Sequence, residues 1–168
     1  MKKHILIYGL LSGIIVSIVM LISVAQFNSG AKGSEYWGFG GMFVAFSLIF
    51  VALYQIRKSE GNRLSFLRGL GAAVAIAFIT STMYVASWMV VSHYYYPNFI
   101  EQYAELEINK AKANGVTDEK MAKMMEDFDG MKKMYKNPLF KMGLTYMEVL
   151  PIGIVMSLIA ALVMMRKG

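Results

Sequence analysis

Four apolar stretches, each long enough to cross a bilayer as a helix, constrain the fold of this chain most strongly. A crossing helix needs about 20 mostly apolar residues, and it satisfies its own backbone hydrogen bonds within the lipid. The sequence therefore predicts an all-α, polytopic membrane protein with four transmembrane helices, forming a single membrane domain over residues 1–168. The four predicted spans cover about residues 5–27, 37–56, 69–93 and 139–165.

Residue usage excludes several classes of protein. Hydrophobic residues make up 57% of the chain and charged residues only 17%, which is typical of membrane proteins rather than soluble domains. The chain has no cysteine, and its two histidines, His4 and His93, lie far apart without the spacing of a metal-binding motif. We therefore predict no metal site, no cofactor and no enzymatic activity, because no nucleophile, base or metal set is assembled.

The first apolar stretch has two interpretations. Ser23-Val24-Ala25 resembles the cleavage site of a signal peptide, but the stretch is longer than the usual apolar region of such a peptide. We favour a retained transmembrane helix. Gly9 and Gly13 form a G-x-x-x-G pair within it, which predicts a close crossing with another helix.

Small residues also recur at intervals of four in the third and fourth spans. Such a row lets the backbone of one helix approach another closely, so the two spans are predicted to pack through these rows. The residues are Gly69, Ala73, Ala77 and Ser81 in the third span, and Gly153, Ser157 and Ala161 in the fourth.

Residues 97–138 form the one polar section long enough to fold outside the membrane. Asn98 and Glu101 have the spacing of a capping box, and Asn114-Gly115 is a helix stop, so a helix over 99–114 is predicted. Thr117 is expected to cap a second helix that ends at Asn137-Pro138. The sequence therefore predicts an external helical pair.

One face of that second helix is rich in methionine. Thioethers suit Cu(I), but no His or Cys accompanies them, and an amphipathic stripe explains the spacing fully. We predict that the stripe packs against the preceding helix, the membrane surface or a partner. It comprises Met121, Met124, Met125, Phe128 and Met131.

The distribution of basic residues predicts the orientation in the membrane. The net charge is +6, but the excess lies beside the apolar stretches, as in membrane proteins, and not on a face suited to nucleic acid. We predict a bacterial inner (cytoplasmic) membrane protein with both termini cytoplasmic, residues 97–138 extracytoplasmic, and lipid headgroups as partners of the basic loop. The topology-setting residues of that loop are Arg57, Lys58, Arg63 and Arg68, supported by Lys2, Lys3, Arg166 and Lys167.

The candidate functional residue is Glu148, a carboxylate inside the fourth apolar stretch. If that span enters the bilayer near Met142, Glu148 lies about 9 Å deep at 1.5 Å per residue. Pro151 removes a backbone donor nearby and is expected to kink the helix. Lys141, two turns earlier, is the nearest basic residue in the sequence. Three interpretations stay open: a structural pair with Lys141 or a Tyr hydroxyl, a protonatable or cation-binding site, and a contact with a partner chain.

Several short motifs resemble a bacterial family, the domain of unknown function numbered 4199. The resemblance covers nearly the whole chain and implies a small four-span inner-membrane protein, without implying any activity or site residues. The motifs are Tyr8-Gly9 with Gly13, Tyr54 to Arg57 before Ser65-Phe66, Tyr96-Pro97-Asn98-Phe99, and above all Glu148-Val149-Leu150-Pro151-Ile152-Gly153 with Ser157-Leu158-Ile159.

The sequence favours a structural or partner-binding membrane component, whose 97–138 helices engage a protein partner or a second copy of the chain. The alternative is a small transporter or ion-coupled permease that uses Glu148. Four spans without an inverted repeat are few for a secondary transporter unless the chain oligomerises.

Overall fold

A computed structural model describes residues 1–28 and 34–165 of the chain, and this part contains six α-helices and no β-strand. Four of them, α1, α2, α3 and α6, are long and apolar enough to span a membrane. The predicted all-helical architecture with four spans is thus confirmed. The helices are α1 (Lys2–Asn28), α2 (Ser34–Ser59), α3 (Phe66–Tyr94), α4 (Phe99–Ala113), α5 (Asp118–Tyr135) and α6 (Pro138–Met164).

The second helix begins earlier than the sequence suggested. The second span was predicted to start at about residue 37, but α2 already begins at Ser34. The basic pair Arg166 and Lys167, used above to predict orientation, lies outside the described residues.

The chain divides into two compact units, and the first comprises Met1–Trp88 and Tyr146–Gly168. In this unit α1 and α2 run antiparallel and lie close together. The Ser12 hydroxyl donates a hydrogen bond to the Ala45 carbonyl across the interface at 2.9 Å. Gly41 lies so near Val19 that a Cβ atom would come within 2.8 Å of the valine Cβ. Because glycine has no side chain, Gly41 permits this close approach of α1 to α2.

Helix α1 crosses α3 through the predicted glycine pair. A Cβ atom on Gly9 would lie 2.9 Å from Ile79, and one on Gly13 would lie 2.9 Å from the Cβ of Met83. The Thr80 hydroxyl donates to the Gly9 carbonyl at 3.3 Å. The G-x-x-x-G prediction is confirmed. The glycine crossing thus brings a carbonyl of α1 within reach of the Thr80 hydroxyl.

Helices α3 and α6 run antiparallel and meet through their small residues, as predicted. A Cβ atom on Gly153 would lie 3.0 Å from the Cβ of Ala77, and one on Gly69 would lie 3.9 Å from that of Ala161. Ser157, halfway between the two α6 positions, is fully buried. Phe46 of α2 also reaches Gly153, so α2, α3 and α6 share this contact.

The second unit, Met89–Thr145, contains α4 and α5. Tyr103 of α4 and Phe128 of α5 meet edge to face with their ring centroids 6.3 Å apart. Ile100, Ala104 and Ala111 are the buried residues of α4. The predicted helical pair is therefore observed, and Phe128 shows that the methionine-rich face of α5 packs against α4.

The caps of these two helices differ from the prediction. Neither Asn98 nor Thr117 uses its side chain to cap a helix. The backbone carbonyls of both residues instead accept the first helical bonds, from Gln102 at 3.1 Å and Met121 at 2.9 Å. The capping box between Asn98 and Glu101 is not formed, and Oε2 of Glu101 is buried without a hydrogen-bond partner among the described residues.

Candidate functional site

The candidate residues Lys141, Glu148 and Pro151 all belong to α6, and the sequence explains where this helix begins. Asn137 accepts a hydrogen bond from the backbone N–H of Leu139 at 3.0 Å through its side-chain oxygen. Pro138 occupies the first helical position, where a missing N–H costs nothing. The sequence motif Asn137-Pro138 therefore ends α5 and also caps α6.

Glu148 lies on the outer surface of the first unit. The residues of α6 that face the neighbouring helices are spaced by four, namely Val149, Gly153 and Ser157, and all are buried. Glu148 precedes this row by one residue, which is about 100° of helix rotation, and it is exposed. The carboxylate is consequently available to lipid, water or another molecule, and it does not fill a core position.

Pro151 is exposed on the same helix, close to Glu148. The helix continues through Pro151 to Met164, although proline cannot donate to the carbonyl of Met147 one turn earlier. Met147 is itself 77% exposed. A carbonyl that lacks its usual helical donor, a carboxylate and a large thioether thus occur within five residues of an apolar helix. The predicted kink at Pro151 stays a prediction, since helix continuity does not fix a bend angle.

Lys141 belongs to the second unit, where its ammonium group has two neighbours. Nζ lies 3.3 Å from the hydroxyl oxygen of Ser92 and 4.7 Å from the centroid of the Tyr135 ring. Ser92 and Tyr135 are both buried. A hydroxyl acceptor and an aromatic face both stabilise a cation. The sequence analysis missed these partners, and the pairing of Lys141 with Glu148 stays a prediction.

The Ser92–Lys141 contact connects elements of the second unit. Ser92 stands near the end of α3 and is only 2% exposed, and Lys141 stands near the start of α6. Since Lys141 also lies over the Tyr135 ring, the contact links the end of α5, the start of α6 and the end of α3 within this unit.

A polar and aromatic contact of Tyr146 joins α6 to α3 near the candidate residues. Its hydroxyl donates to Oγ1 of Thr82 at 2.9 Å, and its ring stacks on Phe78 with centroids 6.3 Å apart. A tyrosine hydroxyl was one of the predicted partners of Glu148. The hydroxyl of Tyr146, two residues away, is directed to α3 instead, and this contact was not predicted.

The basic residues between α2 and α3 surround a tight turn. Gly61 and Asn62 have positive φ values of 68° and 63°, which favour glycine and asparagine. The turn brings the backbone N–H of Asn62 to the carbonyl of Arg57 at 3.0 Å. Nε of Arg57 in turn donates to the carbonyl of Asn62 at 3.4 Å. Arg57 therefore helps to close the turn, whereas Lys58, Arg63 and Arg68 are exposed.

Metal-ligating side chains do not converge in the described part of the chain, where no three His, Asp or Glu residues form a group suited to a metal ion. The polar side chains buried between the spanning helices are mostly hydroxyls, such as Ser12 and Thr80, that bond to carbonyls. These hydroxyls stabilise helix contacts. Glu148 therefore stays the candidate functional side chain in the described part of the chain.

Comparison with protein families identifies the group to which this sequence is related. The family described as protein of unknown function (DUF4199) matches residues 7–166, which is nearly the whole chain. The chain belongs to this family. No curated protein and no solved structure matches this DUF4199 member. The suspected resemblance is confirmed, and the family description assigns no activity to any residue.

Proposed function

We propose that this DUF4199 protein is a non-enzymatic membrane component whose α4–α5 pair binds a protein partner or a second copy of the chain. The observation that carries this proposal is the packing of the pair. Tyr103 and Phe128 pack together between α4 and α5. This packing leaves two methionines of α5 half-exposed: Met125, on the same methionine-rich face as Phe128, is 49% exposed, and Met134 is 50% exposed.

Exposed methionines are suited to binding because their flexible, polarisable side chains adapt to different partner surfaces. They stand among charged residues of both signs, including Asp129 and Lys133, which keep the pair soluble and supply a polar rim. We propose further that the protein resides in the bacterial inner membrane, with α4 and α5 outside and both termini in the cytoplasm. The basic residues beside α1, α2 and α3 support this orientation.

Site-specific photocrosslinking in intact cells tests the partner-binding proposal. A photoreactive residue at Met125 is expected to give one discrete crosslinked species, either with another protein or with a second copy of the chain. The matched control is Asn109, an exposed residue of α4. Equal and diffuse labelling from both positions would count against a defined binding face.

A transporter is the second candidate function, and the exposed carboxylate of Glu148 favours it. An acidic side chain on an apolar span is costly in free energy, and such residues often mark protonation or cation-binding sites. Proteoliposomes prepared with the wild-type protein would then show cation or proton flux that Glu148→Gln abolishes. The control Glu126→Gln alters an exposed carboxylate of α5 and should leave such flux unchanged. Absence of flux in the wild-type protein would remove this candidate.

A further inference from the structure

One end of the first unit concentrates positive charge. Helices α1 and α2 are antiparallel, since Ser12 lies beside Ala45 and Ser23, further along α1, lies beside Gly38, earlier in α2. The start of α1 is therefore level with the end of α2, and the turn after α2 leads directly into α3. These three helix ends bring together a set of side chains that we call the basic end: Lys2, Lys3, Arg57, Lys58, Arg63 and Arg68.

Little negative charge offsets the basic end. Glu60 is the one carboxylate in the described residues of this region, and its Oε2 lies 3.9 Å from Nη1 of Arg68. The Arg68 side chain is 71% exposed, so this long, solvated pair contributes little. Lys58 and Arg63 are exposed as well. The basic end therefore presents several charged groups to whatever surrounds the helix termini.

The position of these groups identifies the ligand chemistry. They lie at the ends of apolar helices, where lipid headgroups meet a membrane protein. Arginine binds phosphate through its planar fork and lysine binds it as a point charge. We propose that the basic end binds the headgroups of anionic phospholipids in preference to zwitterionic ones. This inference is independent of partner binding by α4 and α5.

The turn geometry predicts which residues matter most. The guanidinium of Arg57 already donates a hydrogen bond to the Asn62 carbonyl, so it is less available to bind phosphate. Arg68 lies beside the carboxylate of Glu60, which lowers the positive potential at that position. Lys58 and Arg63, on either side of the left-handed residues Gly61 and Asn62, are the principal contacts with phosphate.

Lipid binding to the full-length, purified protein in a neutral detergent tests the proposal. Native mass spectrometry would compare the binding of phosphatidylglycerol with that of phosphatidylcholine. Removing both charges with Lys58→Gln and Arg63→Gln is expected to weaken phosphatidylglycerol binding roughly twenty-five-fold, at about fivefold per basic residue. The control pair Lys120→Gln and Lys123→Gln removes two exposed charges from α5 and should leave the preference unchanged.

A salt titration of the wild-type protein provides a measurement that needs no variant. Raising KCl from about 0.05 to about 0.5 M shortens the screening length several-fold and should abolish the preference for phosphatidylglycerol. Equal binding of both lipids at low salt would overturn the proposal, as would an equal loss in the α5 control. Displacement of the lipid by millimolar inorganic phosphate would also overturn it, because the site would then recognise a soluble anion.

Discussion

Gly153 of α6 faces the ring of Phe46 with no room for a side chain between them. A Cβ atom at Gly153 would lie 2.9 Å from two ring atoms of Phe46 and 3.0 Å from the Cβ of Ala77. Phe46 and Ala77 are both fully buried, so neither can move aside freely. We expect Gly153→Ala to lower the free energy of unfolding by about 1–3 kcal/mol, the usual cost of overpacking.

Thermal unfolding of the detergent-solubilised protein measures this effect. The matched control is Gly143→Ala, also in α6, where an added Cβ atom meets nothing within 4 Å. That change should be neutral or slightly stabilising, since alanine favours helices over glycine. The packing argument fails if the two variants unfold at the same temperature.

The hydroxyl bonds between the spanning helices make a second prediction. Ser12→Ala removes the bond to the Ala45 carbonyl, and Thr80→Val removes the bond to the Gly9 carbonyl. Each is expected to cost about 0.6 kcal/mol, the average for hydrogen bonds between membrane helices. Ser47→Ala is the control, because the Ser47 hydroxyl is exposed and bonds within its own helix. An equal loss of unfolding free energy for Ser47→Ala would contradict the prediction that the interhelical bonds stabilise the fold.

The ammonium of Lys141 and the Tyr135 ring provide a third prediction, tested by a double-mutant cycle. Lys141→Met keeps most of the apolar stem, and Tyr135→Leu removes the aromatic face. We expect a coupling energy of about 0.5–2 kcal/mol, as for a cation over an aromatic ring. A parallel cycle with Glu148→Gln measures the predicted ion pair. A larger coupling with Glu148 than with Tyr135 would mean that the carboxylate is the principal partner of Lys141.

Membrane topology provides a fourth prediction. A tag inserted at Gly115 should be accessible from outside the cell, and a reporter fused after Lys167 should report the cytoplasm. Neutralising the basic loop should increase the fraction of inverted molecules, because positive charge in short loops sets orientation. The variant replaces Arg57, Lys58, Arg63 and Arg68 with glutamine.

The control for this experiment neutralises four basic residues in the long 97–138 section. Long segments constrain orientation weakly, so this variant should keep the wild-type topology. A periplasmic reporter signal from the wild-type C-terminus would contradict the proposed orientation. The control replaces Lys110, Lys112, Lys120 and Lys123 with glutamine.

Local patterns in the sequence were sufficient to predict the helices and their small-residue contacts. The length of an apolar stretch identifies a span, and glycine at intervals of four predicts a close helix crossing, as at Gly9 and Gly13. The α3–α6 contact through Ala77 and Gly153 was predictable for the same reason. These features depend on residues close together in the chain or on rows repeated along one helix.

The partners of individual polar side chains were not predictable. Ser92 and Lys141 are separated by 49 positions, and Ser12 reaches a carbonyl 33 positions away. Such contacts depend on how two helices align, which neither sequence segment specifies alone. Similarly, the apolar pattern placed Glu148 within a span, but only the rotation of α6 shows that the carboxylate is exposed.

The spacing of small residues on α3 and α6 leaves their alignment ambiguous. A translation of α6 by four residues, about 6 Å, would set Gly153 beside Ala73 or Ser81 instead of Ala77, again small against small. The rows therefore permit sliding without a steric penalty of their own. Phe46 breaks this equivalence, because its ring lies against Gly153, and a step of four residues would place Val149 or Ser157 there, where a Cβ atom has no room. Phe46, which belongs to α2, therefore selects one alignment of α6 against α3.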